Sequence, residues 1–531
     1  TKIHCIVARS KETGQTRHWI GDECRDFREW SKKIDTFIMH NGISFDAPLL
    51  NKFTGSDIKI DQIDDTLIKS QLYNPIRDGG HSLESWGNFF NHKKGDYHDF
   101  SHFNEEMLKY CYTDTAVTME TYDYLQEEGK KFSDESYDLE RKVRSIVDKQ
   151  QSNGFAFDLM RGMTLEAKLM DELYSLEEKA HDMFPPTIVE LKTKTKEIPF
   201  NIASRKQIAE RLMKKGWKPK KKTDKGNVIV NEAVLDTIDM PEAKMFSRYF
   251  LLQKRTGLLK AWIQACSEQE RVHGRVLTLK TITGRMAHHG PNMAQVPSVN
   301  SQFGKECRDC WIVPEGRRLV GVDASGLELR MLAHYMNDEA YTNEILNGDI
   351  HSANQKSAGL QTRDQAKTFI YAFLYGAGAE KIGRILDPDS ESKSAMSQGN
   401  KIRNKFLKRV PSLKNLKDKV TKEAETGYIK GLDGRVLRVR SAHSALNSLL
   451  QGAGAVVMKE AIVILYDLLS NVDFKLVAQV HDEWQIECNP EEAEFVGRSC
   501  VNAMVFAGQS LKLNCPLDGE FKIGNSWADT H

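Results

Sequence analysis

The sequence predicts a multi-domain α/β protein, in which short strands mix with helices near the start and long helices fill the middle. A chain of 531 residues exceeds one ordinary domain, since domains average roughly 150 residues. Hydrophobic residues make up 40% and charged residues 28%, which supplies folded cores and excludes a disordered or collagen-like chain. The formal net charge of +1 excludes a uniformly basic nucleic-acid coat and permits local basic clefts.

Strand-like and helical segments alternate in the first part of the chain. Lys2–Ala8 and Thr16–Ile20 are predicted strands with a Gly-bearing turn between them, and Asp35–Asn41 is a predicted buried strand that ends at a polar loop. From Phe103 to Leu125 the apolar residues follow the helical period. This mixture predicts an α/β domain.

Long, charged, amphipathic helices are predicted from about 135 to 265. They carry a basic hinge, Lys218-Pro219-Lys220-Lys221-Lys222, which is consistent with a solvated face or with contact to phosphates. The remaining predicted elements are strands from Val272, a strand and helix over Arg318–Met336, helices over 340–425, and a hairpin over Lys475–Val480 and Glu483–Cys488. The chain therefore returns to mixed structure after its helical middle.

The nine cysteines indicate a cytosolic protein, because they do not suffice for a disulfide framework in a chain of this length. Cys307 and Cys310 form a C-x-x-C pair without a second pair at zinc spacing, so ordinary packing is favoured over a metal or redox site. No apolar run reaches the roughly 18 residues that span a bilayer, and the most apolar stretch is broken by Lys459 and Glu460. We therefore expect a cytoplasmic protein without a membrane partner. Thr1 is not an initiator methionine, which leaves open a start inside a longer gene product.

Two apolar strands end in acidic residues. Leu319 to Val322 runs directly into Asp323, and a helix with Glu328 in its first turn follows. Lys475 to Val480 runs into Asp482 at the turn of the predicted hairpin. Each alone is also typical of a helix cap or a solvated turn, but an aspartate at a buried strand end is unfavourable unless it is paired or holds a metal. Together they indicate Mg²⁺, and two such ions roughly 4 Å apart catalyse phosphoryl transfer.

A helical face of cations and aromatic residues is predicted before Gly376. Side chains of this kind recur every four residues on one slowly drifting face: Arg363, Lys367, Tyr371 and Tyr375. The opposite face is apolar and belongs in a core: Phe369, Ile370, Phe373 and Leu374. Two cations followed by two aromatics suit a triphosphate that leads to a sugar and a base, although such a stripe by itself is also typical of a solvated face.

The three segments together resemble motifs A, B and C of family A DNA polymerases, in their order and in their wide spacing. The matching residues are Asp323-x-Ser325-x-x-Glu328-Leu329-Arg330, then Arg363-x-x-x-Lys367 with Tyr371 and Tyr375-Gly376, then His481-Asp482-Glu483. The replicative polymerases of T-odd bacteriophages are especially similar, over nearly the whole chain, through Thr283-Gly284-Arg285, Pro291 to Pro297, Gly348 to His351 and Gly524 to Trp527. Agreement of all three motifs favours one joint site over separate caps, turns and solvated faces.

The resemblance implies a ribonuclease-H-like 3′–5′ exonuclease domain followed by a right-hand (palm, fingers, thumb) polymerase domain. The implied bounds are 1–128 for the exonuclease-like domain, 135–265 for the thumb, 270–325 and 447–531 for the palm, and 326–446 for the fingers. The implied activity is template-directed addition of deoxynucleotides to a primer 3′ end. Its implied partners are primer-template DNA and deoxynucleoside triphosphates, and its implied cofactors are two Mg²⁺ ions.

The resemblance also implies a role for individual residues. Asp323 and Asp482 would hold the metal ions, with help from the carbonyl of Ala324. The nucleotide would meet Arg363, Lys367 and His351 at its phosphates, Tyr371 and Glu328 at its sugar, and Tyr375 near the templating position, with Lys367 counted as catalytic. Arg285, Gln295, Gln451 and His481 would reach primer-template from the minor groove, whose acceptors are nearly the same for every base pair.

The N-terminal part resembles a proofreading exonuclease in its second and third motifs only. His40 to Asp46 matches the second motif, and Tyr110-x-x-x-Asp114 matches the third. The first motif, Asp-x-Glu on an opening strand, has no counterpart in or before Lys2–Ala8. We therefore expect the first strand to be missing and the exonuclease to be vestigial or truncated, with truncation, disorder and engineering all left open as causes.

Two further expectations follow from the resemblance. The T-odd relatives carry a long thumb insertion, for which the run from Met183 to Thr223 leaves no room, so no thioredoxin-type processivity factor is expected. A phage-encoded chain would work in the cytoplasm of the infected host cell. A single-subunit RNA polymerase and a non-catalytic DNA-binding relic are the alternatives. Glu328 and Tyr371, in positions that select deoxyribose, disfavour the first, and the two aspartates disfavour the second.

Overall fold

The computed structural model describes residues 2–92, 97–190, 195–219, 222–223, 225–388 and 390–531. It divides into two compact units. The first contains residues 1–153, 276–288 and 320–523, and the second contains residues 154–275, 289–319 and 524–531. Of the basic hinge, Lys220 and Lys221 lie outside the described residues.

Strands are numbered β1 onward in chain order over the described residues. They are Cys5–Arg9, Thr16–Ile20, Phe37–Met39, Ile63–Asp65, Phe155–Phe157, Thr187–Glu190, Thr195–Ile198, Arg271–Val272, Arg275–Leu277, Ala287–His289, Trp311–Ile312, Arg318–Ala324, Tyr428–Lys430, Val436–Arg438, Phe474–Val480, Glu483–Cys488 and Gly519–Gly524, which is β17.

Helices are numbered α1 onward in the same way. They are Phe27–Ser31, Asp46–Thr54, Thr66–Tyr73, Leu83–Phe89, Glu105–Glu128, Asp134–Asn153, Leu159–Met183, Arg205–Lys214, Glu232–Leu235, Pro241–Ala265, Gly304–Arg308, Leu327–Met336, Glu339–Leu346, Ile350–Ala358, Arg363–Leu374, Ala379–Gly383, Ser392–Arg409, Pro411–Glu423, Ala445–Leu468 and Ala493–Ser510, which is α20.

A four-stranded sheet in the order β15-β16-β12-β17 forms the centre of the first unit. β15 and β16 are the hairpin that the sequence predicts, paired antiparallel from Phe474 with Cys488 to Val480 with Glu483. β12 is apolar and buried from Leu319 to Val322, as expected of a strand covered on both faces. The sheet shares one hydrophobic core with α19 and α20, so its strand ends are held by a large buried surface.

Helix α15 packs its apolar face into the same core. Phe369, Ile370, Phe373 and Leu374 are all buried, as the four-residue spacing predicts. Phe406 of α17 contacts Phe369 edge-on, with ring centroids 5.1 Å apart. Thr362 caps the helix by accepting from the N–H of Gln365, and the chain leaves it through Gly376 at a φ of 71°.

The N-terminal part of the first unit is a mixture of short strands and helices, as predicted, with shorter strands than expected. β1 pairs antiparallel with β2, and β3 pairs in parallel with β4. The predicted strand over Asp35–Asn41 is reduced to Phe37–Met39, because the backbone turns at Asn41, where φ is 66°. α5 extends from Glu105 to Glu128, three residues beyond the predicted end.

The second unit is built on two long helices that pack against each other, α7 and α10, and on a small sheet in the order β11-β5-β8. Trp262, Trp311 and Trp527 are fully buried in its core, and the N–H of Trp527 donates to the carbonyl of Trp311. The sequence predicts mostly helices from about 135 to 265, whereas β6 and β7 pair antiparallel there. Pro185 and Pro186 end α7 because proline cannot continue a helix, and Thr187 and Ile188 favour strand.

The segment Ala442–Leu468 is long and apolar enough to cross a membrane by length and composition, although the sequence prediction excluded such a run. Lys459 and Glu460 interrupt it, and 78% of its most apolar window is buried inside the structure. The core helix of a globular domain passes the same test.

Candidate active site

Two aspartates lie at the ends of neighbouring strands in the four-stranded sheet. Asp323 is the sixth of seven residues in β12 and is exposed, and Asp482 lies in the two-residue turn between β15 and β16. Because β12 and β16 are neighbours, the two segments meet, and the N–H of Ala324 donates to the carbonyl of Asp482 over 3.1 Å. The sequence predicts each strand end separately, and the fold brings the two together.

The backbone on either side of Asp323 is closely held. The N–H of Ser325 donates to the carbonyl of Asp518 over 2.9 Å, which ties the end of β12 to the start of β17. A Cβ at Gly519 would come within 3.1 Å of the carbonyl oxygen of Asp323, so β17 makes a close backbone approach there. His481 enters the hairpin turn with a φ of 57°, a left-handed conformation that turns the chain sharply before Asp482.

The pKa of Asp482 is raised from its ordinary value to about 6. Burial is the main cause, and the negative charges of Asp323 and then Glu328 add to it, while Arg285 opposes them. A divalent cation would relieve this repulsion, and oxygen donors are the ligands that Mg²⁺ prefers. Within the described residues no three His, Cys, Asp or Glu side chains surround a common centre. A pair of carboxylates still fits Mg²⁺, which takes only one or two from the protein and keeps several waters.

Glu328 connects the first turn of α12 to two other predicted site residues. Its Oε1 accepts from Nη2 of Arg285 at 3.0 Å and from the hydroxyl of Tyr375 at 3.1 Å. Burial and the Glu328 carboxylate together raise the pKa of Tyr375 to about 12, so its hydroxyl stays a donor. The three side chains form one hydrogen-bonded group beside the aspartates.

The predicted stripe on α15 faces solvent at its start. Lys367 is exposed, and Nε of Arg363 donates to Oδ2 of Asp349 at 2.8 Å. The ring of His351 lies 6.3 Å from that of Tyr371, measured between centroids. Burial and the charges of Arg363 and Lys367 lower the pKa of His351, so the imidazole favours its neutral form.

Tyr371 lies close enough to the acidic group for its pKa to respond. Burial raises that pKa first, and the charges of Glu328 and Asp482 raise it further. The stripe therefore begins at the exposed cations Arg363 and Lys367 and reaches Tyr371, whose pKa responds to the charges of Glu328 and Asp482.

The residues predicted to contact primer-template are divided between the units. Arg285, Gln451 and His481 belong to the first unit, and Arg285 and His481 line a small cavity of about 30 Å³ together with Asp482 and Lys459. Burial and Arg285 lower the pKa of His481. Gln295 belongs to the second unit, where it is exposed at the end of the short helix Met293–Gln295.

Two of the predicted exonuclease residues, Asp46 and Asp114, lie in one acidic group with Asp65, a carboxylate that the motifs do not include. Burial raises the pKa of Asp46 to about 6, and the charges of Asp65 and Asp114 contribute. Asp65 is 1% exposed and accepts from the backbone N–H groups of Asn41, Ile43, Leu67 and Ile68, which makes it the cap of α3. The ring of Tyr110 packs against Tyr97 and Phe100.

The sequence does not identify three residues that belong to these groups of side chains. Asp65 ends the short strand β4, but that strand contains Asp64 and only one apolar residue, Ile63, so it lacks the apolar run that singled out Asp323 and Asp482. Asp349 lies in the Gly348 to His351 motif, but nothing local indicates its pairing with Arg363. Lys459 was noted only as an interruption of an apolar helix. The C-x-x-C pair agrees with ordinary packing, since Cys307 and Cys310 are buried and free.

Comparison with known proteins decides the family. The profile of DNA polymerase family A matches residues 163–529. The DNA-directed DNA polymerase of Escherichia phage T7 is 30% identical over an alignment of 698 positions, which covers all of this chain and 98% of the relative. That of Enterobacteria phage T3 is also 30% identical, with the same coverage. The chain belongs to DNA polymerase family A. The predicted resemblance is confirmed.

The protein is a DNA-directed DNA polymerase, and the alternative of a single-subunit RNA polymerase is set aside. Its fold is that of a family A polymerase domain. The POL domain of Pol1 from M. smegmatis, in a complex with DNA primer-template and dNTP, superimposes with a TM-score of 0.83 at 18% identity, covering 100% of this chain and 94% of that one. Enzymes of this family use divalent metal ions, and Asp323 and Asp482 are the residues here that fit them.

Replacing Asp482 by Asn is expected to stabilise the metal-free protein at pH 8. The substitution removes a half-buried negative charge from beside Asp323, and we expect a gain of about 1–2 kcal/mol. The folded pKa of about 6 lies above the ordinary value of 3.8, so the penalty of charging Asp482 is full above about pH 6 and disappears as the pH falls towards 4. The gain from Asn should therefore shrink over the same window.

Thermal unfolding in EDTA at several pH values measures this difference. Asp467→Asn is the matched control, because Asp467 is an exposed acid on α19 and its loss should change neither stability nor pH dependence. A lower Tm for Asp482→Asn than for wild type at pH 8 would contradict the repulsion.

Proposed function

We propose that this polymerase extends a primer 3′ end by a two-metal-ion mechanism, with Asp323 and Asp482 as ligands of two Mg²⁺ ions and the carbonyl of Ala324 as a further ligand. The observation that carries the proposal is the meeting of two carboxylates at neighbouring strand ends, where burial and then the negative charges of Asp323 and Glu328 raise the pKa of Asp482 to about 6. When bound, such ions activate the attacking oxygen and stabilise the leaving one. The carboxylates hold and orient them.

The incoming deoxynucleoside triphosphate would bind along the stripe of α15. Arg363 and Lys367 are exposed cations at the start of that stripe, and with His351 they suit a triphosphate. Lys367 would also balance charge on the phosphates as the bond breaks. Tyr371 and Glu328 would lie beside the sugar, and Tyr375, which donates to Glu328, would lie near the templating base.

Primer-template DNA would be held through its minor groove by Arg285, Gln295, Gln451 and His481. Contacts there suit a copying enzyme, since the minor groove offers nearly the same acceptors for every base pair. The fold neighbour from M. smegmatis was solved with primer-template and dNTP, which supports both partners.

The right-hand arrangement gives the proposed bounds of the parts: thumb 135–265, palm 270–325 and 447–531, fingers 326–446, and a ribonuclease-H-like exonuclease domain over 1–128. The grouping of Asp46, Asp65 and Asp114 supports the last of these. We also propose that the enzyme works in the cytoplasm, of an infected host cell if it is phage-encoded, and without a thioredoxin-type processivity factor.

Asp323→Asn and Asp482→Asn should each reduce primer extension by about 10³-fold or more, because the lost interactions stabilise charge in the transition state. Primer-template affinity should stay within about three-fold of wild type, since neither carboxylate binds the DNA backbone. Single-turnover extension and a fluorescence anisotropy titration measure the two quantities. Asp467→Asn serves again as the matched control, and near-normal extension by Asp482→Asn would exclude the proposed metal ligand.

Tyr371 should set the response to dideoxynucleotides. Its hydroxyl can donate a hydrogen bond where an incoming 3′-hydroxyl otherwise supplies one, and a phenylalanine cannot. Such a bond in a closed site is worth about 1–3 kcal/mol, or roughly one to two orders of magnitude. Wild type should therefore incorporate dideoxynucleotides readily, and Tyr371→Phe should discriminate against them by that factor. The ratio of dideoxy to deoxy incorporation efficiency is the measurement, and equal ratios in the two proteins would remove the hydroxyl from this role.

The exonuclease-like domain should trim single-stranded 3′ ends weakly or not at all. Both oxygens of Asp65 are engaged by backbone N–H groups, which leaves Asp46 and Asp114 as the acids to fix two metal ions. In the presence of Mg²⁺, the rate at which wild type trims a labelled single strand should stay close to the rate of Asp46→Asn. Robust trimming by wild type that Asp46→Asn abolishes would show a complete site.

A further inference from the structure

Four charged side chains form a buried network behind the candidate active site. Glu140 of α6 is 0% exposed, and Lys459 of α19 and Arg435 are each 1% exposed. Nζ of Lys459 donates to both carboxylate oxygens of Glu140, at 2.7 and 2.8 Å, and to the carbonyl of Thr278 at 2.9 Å. Arg435 holds Asp433 through Nε and Nη2, and its Nη1 lies 2.9 Å from Glu140.

The network fixes the position of its central cation. An ammonium group has three protons, and Lys459 donates all three in hydrogen bonds to Glu140 and Thr278, which belong to different segments of the chain. Two acids and two bases cancel, so the network adds no net charge. Buried ion pairs are poor sources of stability, because the desolvation of the charges offsets their attraction and apolar residues of the same size often do as well. Positional specificity is the property that such a network can supply.

The segment that this network holds is the loop that carries Arg285. Lys459 anchors the carbonyl of Thr278, six residues before Gly284. Gly284 has a φ of 77°, and a Cβ there would lie 2.9 Å from Nη1 of Arg435, so the loop rests directly on the guanidinium. Within the loop the hydroxyl of Thr281 donates to the carbonyl of Arg285 at 2.8 Å.

The network also reaches the cavity at the strand ends. Lys459 lines that cavity of about 30 Å³ together with Arg285 and Asp482. One side of the buried cluster therefore faces the charged group of the site, and the other side holds the loop backbone.

We infer that Lys459 and Arg435 are positioning residues, which hold the loop 278–285 so that Arg285 is aimed at the primer terminus and the enzyme distinguishes a paired 3′ end from a mispaired one. The inference rests on the proposed contact of Arg285 with primer-template. A paired terminus offers its minor-groove acceptor at one position, and a mispaired terminus does not. If Arg285 is displaced, it loses its contact with a paired terminus. It loses no contact with a mispaired terminus, because none is made there. A misplacement of about 1 Å is enough to cost up to 10²-fold in rate.

The experiment compares single-turnover extension of a paired and a mispaired primer 3′ end by the full chain. Lys459→Met alone removes one of the two cations that neutralise the buried Glu140. The excess buried negative charge would destabilise the fold, so this single variant is not used. The double variant Glu140→Gln/Lys459→Met removes one charge of each sign and keeps the network neutral. Asp64→Asn/Lys69→Met is the matched control, because Lys69 and Asp64 form another mostly buried ion pair of the same unit, at 2.6 Å.

We expect the paired-to-mispaired ratio of extension rates to fall about ten-fold in Glu140→Gln/Lys459→Met and in Arg285→Ala, and to stay within about two-fold of wild type in the control. The triple variant with Arg285→Ala should show no further fall, because both changes remove the same contact. Primer-template affinity and Tm are measured for the same variants. These measurements distinguish a loss of stability from a change in the paired-to-mispaired ratio of extension rates.

Three results would overturn the inference. The first is an unchanged ratio in the double variant while Arg285→Ala lowers it, which would make the network structural and leave the Arg285 contact standing. The second is an additive fall in the triple variant. The third is an unchanged ratio in Arg285→Ala, which would remove the proposed contact and the inference together.

Discussion

The repulsion between two carboxylates held at neighbouring strand ends is the constraint on which the site depends. Such a pair is unfavourable without a cation, and burial, followed by the charges of Asp323 and Glu328, raises the pKa of Asp482. What keeps the pair together is apolar: the interior of β12 and the whole of β16 are buried, and they belong to the same hydrophobic core as Val456 and Val457 of α19. The stability of the core thus supports a destabilising site, which is the usual relation between a fold and its active centre.

The remaining groups of the site are fixed relative to that pair by two helices. α12 follows β12 directly, so Glu328 is carried to a set distance from Asp323, and it bridges Arg285 to Tyr375. α15 buries one face and leaves the other for cations and tyrosines. The direction of the stripe follows from the burial of Phe369 and Phe373, because a helix with one face in a core cannot rotate about its axis.

The sequence predicts those parts of the fold that depend on local pattern. The strand ends at Asp323 and Asp482, the hairpin whose turn carries Asp482 and the two faces of α15 all follow from runs of a few residues, and the structure has them. The pairing of β6 with β7 was not predicted, because the charged residues of this segment obscured the strand pattern. Pro185 and Pro186 nevertheless indicate that the preceding helix ends there. The network of Glu140 and Lys459 joins residues 319 positions apart, and no local pattern contains such a pair.

The two groups of charges differ in balance, and that difference separates their roles. Around Glu140 two acids meet two bases, so the network has no excess charge to offer a ligand. Around Asp482 the charges of Asp323 and Glu328 are opposed by Arg285, and the acids exceed the base. The excess negative charge is therefore concentrated at the strand ends, where a divalent cation would be attracted, while the neutral network behind it can fix geometry without competing for that cation.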